Sequence, residues 1–157
     1  MKTKILFVCL GNICRSPAAE NIMNHHITQA GLGAMIECDS AGTSSYHVGS
    51  PPDRRMTDSL KKRGYVVAGR ARQFQVEDFE EFDLILAMDR DNYQGILIQD
   101  RQGKYHHKVK LMCDYAQNFN DKEVPDPYYG GQASFDHVID LLEDACRHLL
   151  AELNKLS

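Results

Sequence analysis

Apolar positions along this chain fall into two alternating registers. One unbroken apolar run occupies residues 5–9 (Ile-Leu-Phe-Val-Cys), which predicts a strand buried on both faces. Shorter or mixed apolar stretches predict further strands over 35–40, over 83–88, also read as buried, and over 109–112. Between them the spacing becomes helical. Ala19, Ile22, Met23, His26 and Ala30 share one helical face, and Gly31 ends it. Further helices are predicted over 53–63, closed by Gly64, over 77–82, and over 89–97, which opens on an aspartate. Val138, Leu141, Leu142, Ala145, Leu149 and Leu153 mark a long amphipathic helix over about 134–154. Strands alternating with helices predict an α/β fold, a parallel sheet with helices on both faces. Ligands of such sheets bind beyond the carboxyl ends of the strands, and Cys9 stands at the carboxyl end of the first.

Length and composition narrow the function classes. The 157 residues suit one domain, 1–157, with no repeat or linker in it. With 18 basic and 22 acidic residues the formal charge is −4, which argues against a nucleic acid or a membrane surface as partner. It leaves room for a small basic pocket. No apolar run approaches the roughly 20 residues of a membrane span. The first apolar run is too short for a secretory signal, so a cytoplasmic location is expected. The five cysteines are odd in number and contain no C-x-x-C, a poor basis for a disulfide framework, a zinc ribbon or a thioredoxin motif. Cys38, Cys113 and Cys146 are expected to be packing residues. The histidine doublets at 25–26 and 106–107 would diverge by about 100° on a helix, a poor geometry for one metal. No metal and no cofactor is expected.

The chemistry concentrates in residues 9–17, Cys-Leu-Gly-Asn-Ile-Cys-Arg-Ser-Pro. Gly11 takes positive φ freely and Asn12 tolerates it, so successive N–H groups of Leu10, Gly11, Asn12, Ile13 and Cys14 can turn inward as an anion nest. Ser16-Pro17 has the pattern of an N-cap followed by proline at the first helical position. The free amides and dipole of that helix would face the same hollow. No G-x-x-x-x-G-K-[ST] occurs, which disfavours a nucleotide-binding P-loop. A thiol beside a helix N-terminus and Arg15 is expected to be a thiolate, a nucleophile that needs no adjacent base. Arg15 offers a planar fork for two phosphoryl oxygens. This arrangement suits in-line attack on a phosphate monoester better than acyl transfer, which calls for a histidine and oxyanion donors.

Cleaving a monoester also requires an acid for the leaving group. Asp126, between Pro125 and Pro127 and followed by Tyr128, Tyr129, Gly130 and Gly131, is the candidate. Its two tyrosines could line a slot for an aromatic leaving group. The same composition also fits a plain surface turn before the last helix.

Together, "VCLGNICRSPAAE" and "DPYYGG" resemble the low-molecular-weight protein tyrosine phosphatases. The similarity spans about residues 5–150 and includes "DSAGTS" at 39–44, "PPD" at 51–53, "ARQ" at 71–73 and "MD" at 88–89. The resemblance implies a flavodoxin-like three-layer sandwich around a central four-stranded parallel sheet. It implies a hydrolase acting on phosphotyrosine through a cysteinyl-phosphate on Cys9. Arg15 would hold the phosphoryl group, and Asp126 would serve as acid and then base. Asn12 would shape the cradle with support from Ser40, and Ser16 would stabilise the thiolate. Cys14 would trap an oxidised Cys9 as a disulfide and so make the enzyme redox-regulated. Leu10, Tyr46, Tyr128 and Tyr129 would select the substrate, a slot of that depth favouring phosphotyrosine over phosphoserine. Tyr128 and Tyr129 would themselves be candidates for phosphorylation. Phosphotyrosine proteins, with a tyrosine kinase, are the implied partners. One position departs from the family: Gly69 stands where many members have a histidine in the network behind the cradle.

Two rival readings remain open on sequence. A thiol-dependent arsenate reductase would use the same cradle but needs further cysteines to relay a disulfide, and 83–90 holds none. A non-catalytic phosphotyrosine sensor would need the cradle without the thiol or Asp126.

Overall fold

A computed structural model of the chain describes residues 2–155. Four strands, β1 (Thr3–Cys9), β2 (Ile36–Gly42), β3 (Leu84–Ala87) and β4 (Val109–Leu111), form one sheet in the order β2-β1-β3-β4. All three pairings are parallel. Five helices cover it: α1 (Arg15–Gln29), α2 (Arg54–Lys62), α3 (Asp78–Glu81), α4 (Arg90–Leu97) and α5 (Gln132–Lys155). This is the parallel α/β arrangement expected of the alternating pattern, in the flavodoxin-like sandwich that the resemblance implies.

The central strand shows why its apolar run is unbroken. Ile5, Phe7 and Cys9 point into a core shared with Ile22 and Met23 of α1, Leu60 of α2 and Leu142 of α5. Leu6 and Val8 point into the opposite core, with Phe79 of α3, Ile85 of β3 and Ile96 of α4. From Ile5 to Cys9 each face of β1 is therefore buried, and no position in that stretch can be polar without an unmet cost.

The helix ends follow the glycine signals. At the end of α1, Leu32 N–H donates to the Ile27 carbonyl and Gly31 N–H to the Thr28 carbonyl, with Gly31 at φ 70°. That is a Schellman closure, which requires the left-handed backbone that glycine adopts without strain. Ala30, placed on the buried face by periodicity, is instead exposed beyond the last turn, and Ile27 takes the buried position. Strand β2 runs to Gly42, past the expected 35–40, because Gly42 pairs with Cys9 in register. A Cβ at Gly42 would lie 2.7 Å from the Leu10 carbonyl oxygen, so the loop leaving β1 packs directly on its backbone. No helix among the described residues is long and apolar enough to cross a membrane.

Candidate active site

The loop leaving β1 climbs over Gly42 and enters α1 within five residues, at the carboxyl edge of the sheet. Its backbone turns at Asn12, whose φ of 57° makes it the one non-glycine residue with positive φ among the described residues. Gly11, expected to supply that turn, keeps negative φ. It lacks a side chain for another reason: a Cβ there would meet the His47 ring at 3.0 Å. Asn12 tolerates the left-handed backbone because its amide is fully engaged. Nδ2 donates to Ser16 Oγ at 2.8 Å and to Ser40 Oγ at 3.0 Å, while Oδ1 accepts from Arg72 N–H at 2.9 Å.

Cys9 lies on the floor, 2% exposed. Its sulfur is 3.0 Å from Ser16 Oγ and accepts from Asn12 N–H at 3.3 Å. These contacts correct the expected cap. Helix α1 begins at Arg15 with Cys14 at the N-cap and no capping side chain. The Ser16 hydroxyl is already committed to the thiol and to Asn12, so it serves the floor rather than the helix end. The first turn of α1 is left without a capping side chain.

Arg15 also belongs to the floor and is buried at 3% exposure. Nη1 donates to Asp89 Oδ2 at 2.6 Å and to the Val124 carbonyl at 3.1 Å, and Nη2 lies 3.7 Å from Asp126 Oδ2. Asp126 itself is about half exposed on its loop, where Oδ1 accepts from Tyr128 N–H at 3.1 Å. Cys9, Arg15 and Asp126 thus share one cleft of about 420 Å³. Leu10, Gly11, Ile13, Cys14, Tyr46, Tyr128 and Tyr129 line it as well. Tyr128 and Tyr129 pack edge to face at 4.9 Å. Tyr46 at 85% and Tyr129 at 95% exposure stand on the rim. Cys14 shares the cleft, but burial and then the Asp53 carboxylate push its thiol well above the ordinary range. It is a neutral thiol at neutral pH.

Three residues that sequence reasoning left without a role belong to this site. Asp89 caps α4, with Oδ1 accepting from Asn92 N–H, and spends its other oxygen on Arg15. The signal was topological, since β3 lies beside β1 and their carboxyl ends coincide. Glu20 accepts from Ser40 Oγ at 2.5 Å and so closes the chain of bonds behind Asn12. Burial raises its carboxyl to about 7. Ser16 and Glu20 are four apart on α1, a spacing that puts both toward β2. His47 packs against Tyr46 at 4.8 Å and tilts toward Tyr128 at 6.4 Å. Gly69 takes no part in this support, and nothing lies near where its side chain would be. The anchor comes instead from the Arg72 backbone, with the Arg72 guanidinium held by Asp39 and Asp78.

Cys38 and Cys146 sit inside the core, as expected of packing residues, and Cys113 is half-buried away from the cleft. Among the described residues no group of three or more His, Cys, Asp or Glu is gathered to hold a metal.

The pattern of the low molecular weight phosphotyrosine protein phosphatases matches residues 4–157. The chain belongs to that family. A chain from Synechocystis named as a low molecular weight protein-tyrosine-phosphatase is 77% identical over 152 residues, covering 97% of each chain. The human low molecular weight phosphotyrosine protein phosphatase is 38% identical over 147 residues, covering 93% of this chain and 92% of its own. Among solved structures, a protein tyrosine phosphatase from Entamoeba histolytica with Hepes in its active site superposes with a TM-score of 0.94. It is 48% identical and covers 98% of both chains.

Proposed function

We propose that the protein hydrolyses phosphotyrosine in proteins by two displacements at phosphorus, with Cys9 as nucleophile. The observation that supports this most directly is the shared cleft. A buried sulfur holds two hydrogen-bond donors, a buried guanidinium stands beside it, and a half-exposed carboxylate lies 3.7 Å from that guanidinium.

In the first step the Cys9 thiolate attacks phosphorus and the bond to the phenolic oxygen breaks. Asp126, as the acid, gives its proton to that oxygen. Inward amides of residues 10–14 and the Arg15 guanidinium receive the charge on the equatorial oxygens. Arg15 Nη1 is spent on Asp89 and Val124, which fixes the plane and leaves Nε and Nη2 for the phosphoryl group. In the second step water attacks the cysteinyl-phosphate and gives a proton to Asp126. Sulfur leaves as thiolate, received by the Ser16 hydroxyl and the Asn12 N–H. Asn12, Ser40 and Glu20 keep the loop in the one shape that permits this.

A phenyl phosphate spans the depth from the tyrosine rim to the sulfur, where a serine phosphate would stop short. Leu10, Tyr46, Tyr128 and Tyr129 carry that selection. The substrates are phosphotyrosine proteins of the cytoplasm, supplied by a tyrosine kinase. Cys14 is the redox partner. When peroxide oxidises Cys9 to the sulfenic acid, Cys14 attacks it, water leaves, and a disulfide protects the nucleophile. The arsenate reductase reading lacks a relay, since Cys38 and Cys146 are interior and Cys113 is outside the cleft.

Rapid-quench kinetics with p-nitrophenyl phosphate tests the proposal. The expected result is a burst of nitrophenol equal to the enzyme, and one phosphoryl group on Cys9 in the quenched protein by mass spectrometry. Turnover with an unmodified Cys9 would overturn the covalent route. Arsenate reduction in the absence of phosphate release would overturn the reaction class.

A further inference from the structure

Helix α2 carries an unusual charge pattern for its position. It begins Arg54-Arg55 and ends Lys61-Lys62, in a chain with an excess of acidic residues. Met56, Ser59 and Leu60 face the core. The opposite side is open. Arg55, Asp58, Lys61, Lys62 and Gln132 line a shallow hollow of about 490 Å³. Lysines in a last turn complement the helix dipole, and arginines in a first turn oppose it. No acid follows inside that first turn, and the N-cap Asp53 carboxylate bridges Arg55 at 3.2 Å. Among the described residues Arg54, Lys61 and Lys62 have no ion-pair partner. Neighbouring Arg63, by contrast, sits between Asp140 and Glu143 of α5. The fold therefore neutralises Arg63 and Arg55 and leaves Arg54, Lys61 and Lys62 to solvent. An exposed basic face beside an anion-binding cleft carries the charge that an acidic chain would meet.

The hollow adjoins the cleft through a single stack. The Arg55 guanidinium lies 5.2 Å over the Tyr128 ring and 4.8 Å over the Phe135 ring. Tyr128 lines the cleft on its other side. Asp53, the N-cap of α2, donates its N–H to the Ile13 carbonyl at 2.7 Å, which fixes the helix to the cradle itself. A chain whose phosphate reaches Cys9 and which leaves the cleft past Tyr128 runs onto this helix. From Arg55 to Lys62 is about 10 Å of helix, or roughly three residues of extended peptide.

We propose that the exposed face of α2, centred on Lys61 and Lys62, docks acidic residues that flank the phosphotyrosine of a protein substrate. The inference rests on the phosphatase reading and adds the sequence class of its substrates. Asp58 is the opposing charge within the hollow and limits the preference.

The test compares phosphotyrosyl peptides bearing three glutamates on the amino side, three on the carboxyl side, or glutamines on both, with p-nitrophenyl phosphate as the control. One acidic peptide should exceed the neutral one in kcat/KM by on the order of tenfold at low salt, and the advantage should fade as salt screens it. The double variant Lys61→Glu/Lys62→Glu should remove that advantage, Lys61→Gln/Lys62→Gln should reduce it, and Asp58→Asn should increase it. All three should hydrolyse p-nitrophenyl phosphate at the parent rate. No acidic preference in either orientation would overturn the proposal. So would a preference unmoved by charge reversal at Lys61 and Lys62. A parent protein inert on p-nitrophenyl phosphate would instead overturn the phosphatase reading beneath it.

Discussion

The floor and the rim of one cleft are built in opposite ways. On the floor Cys9, Asn12, Arg15, Ser16 and Ser40 are each at most 5% exposed. Cys9, Asn12, Ser16 and Ser40 bond one another, Arg15 is held by Asp89 and the Val124 carbonyl, and Asn12 by itself makes three side-chain bonds. On the rim Leu10, Tyr46 and Tyr129 are 53%, 85% and 95% exposed, and the two tyrosine side chains make ring contacts. Chemistry at phosphorus needs donors fixed before the charge develops, because reorganising them during the reaction forfeits most of their value. Choosing among peptides needs only a surface of the right depth and polarity, which can stay loose. Asp126 falls between the two. It is half exposed like the rim, yet its carboxylate is within 3.7 Å of the floor's guanidinium.

The comparison breaks most sharply at Cys9. Cys9→Ser should end turnover while phosphate still binds, because the amides and Arg15 stay in place and the nucleophile does not. Isothermal titration with phosphate, beside an activity assay, separates the two. Appreciable turnover in this variant would mean that the sulfur is not where the phosphoryl group goes. Asp126→Asn comes next, with an expected loss of on the order of 10²–10⁴-fold toward aryl phosphates with poor leaving groups. Activated esters should lose much less, since a good leaving group needs no proton. A uniform loss across a leaving-group series would place Asp126 in binding instead.

How much of this was visible in the chain follows the same division. Residues 5–9 specified the central strand because they are buried on both faces, which leaves no polar position to blur the run. Cys9, Arg15 and Asp126 were legible because they stand in compact motifs. The glycine closures at Gly31 and Gly64 were legible because a left-handed turn admits few residues. Ser16-Pro17 misled as a cap, since local pattern cannot know that a thiol and an amide compete for the same hydroxyl. Asp89 and Glu20 were opaque for a related reason. Each acts only once the sheet order brings the ends of β1, β2 and β3 together, and nothing within a few residues of either announces it.

Glu20 sharpens the comparison from behind the floor. Burial, the largest influence, raises its carboxyl from 4.5 to about 7, against the Ser40 hydrogen bond and Arg72, which lower it. Between those values the folded chain holds a proton that the unfolded chain releases. Stability from this group is therefore complete below about 4.5, falls as pH rises, and is lost by about 7. The span is worth about 3 kcal/mol. Glu20→Gln keeps an acceptor for Ser40 and removes the titration. Urea unfolding at pH 5 and pH 8 should show the parent losing stability across the interval relative to the variant. Parallel behaviour of the two proteins would mean that Glu20 is already ionised throughout.

The smallest effect is expected at the outermost residue. Tyr129 lines the outer edge of the cleft, its ring packed on Tyr128, and nearly all of its surface meets water. An edge-to-face ring pair contributes roughly 0.5–1.5 kcal/mol, and less where solvent reaches both rings. Tyr129→Ala should therefore leave kcat on p-nitrophenyl phosphate within about threefold of the parent, since no donor to the phosphoryl group moves. On phosphotyrosyl peptides the loss should appear in KM and not in kcat, because the contact exists equally in the bound substrate and in its transition state. A fall in kcat on both substrates would carry Tyr129 across the boundary. The rim would then be holding Asp126 in its working position, and the separation between a fixed floor and a free edge would fail at the aromatic pair.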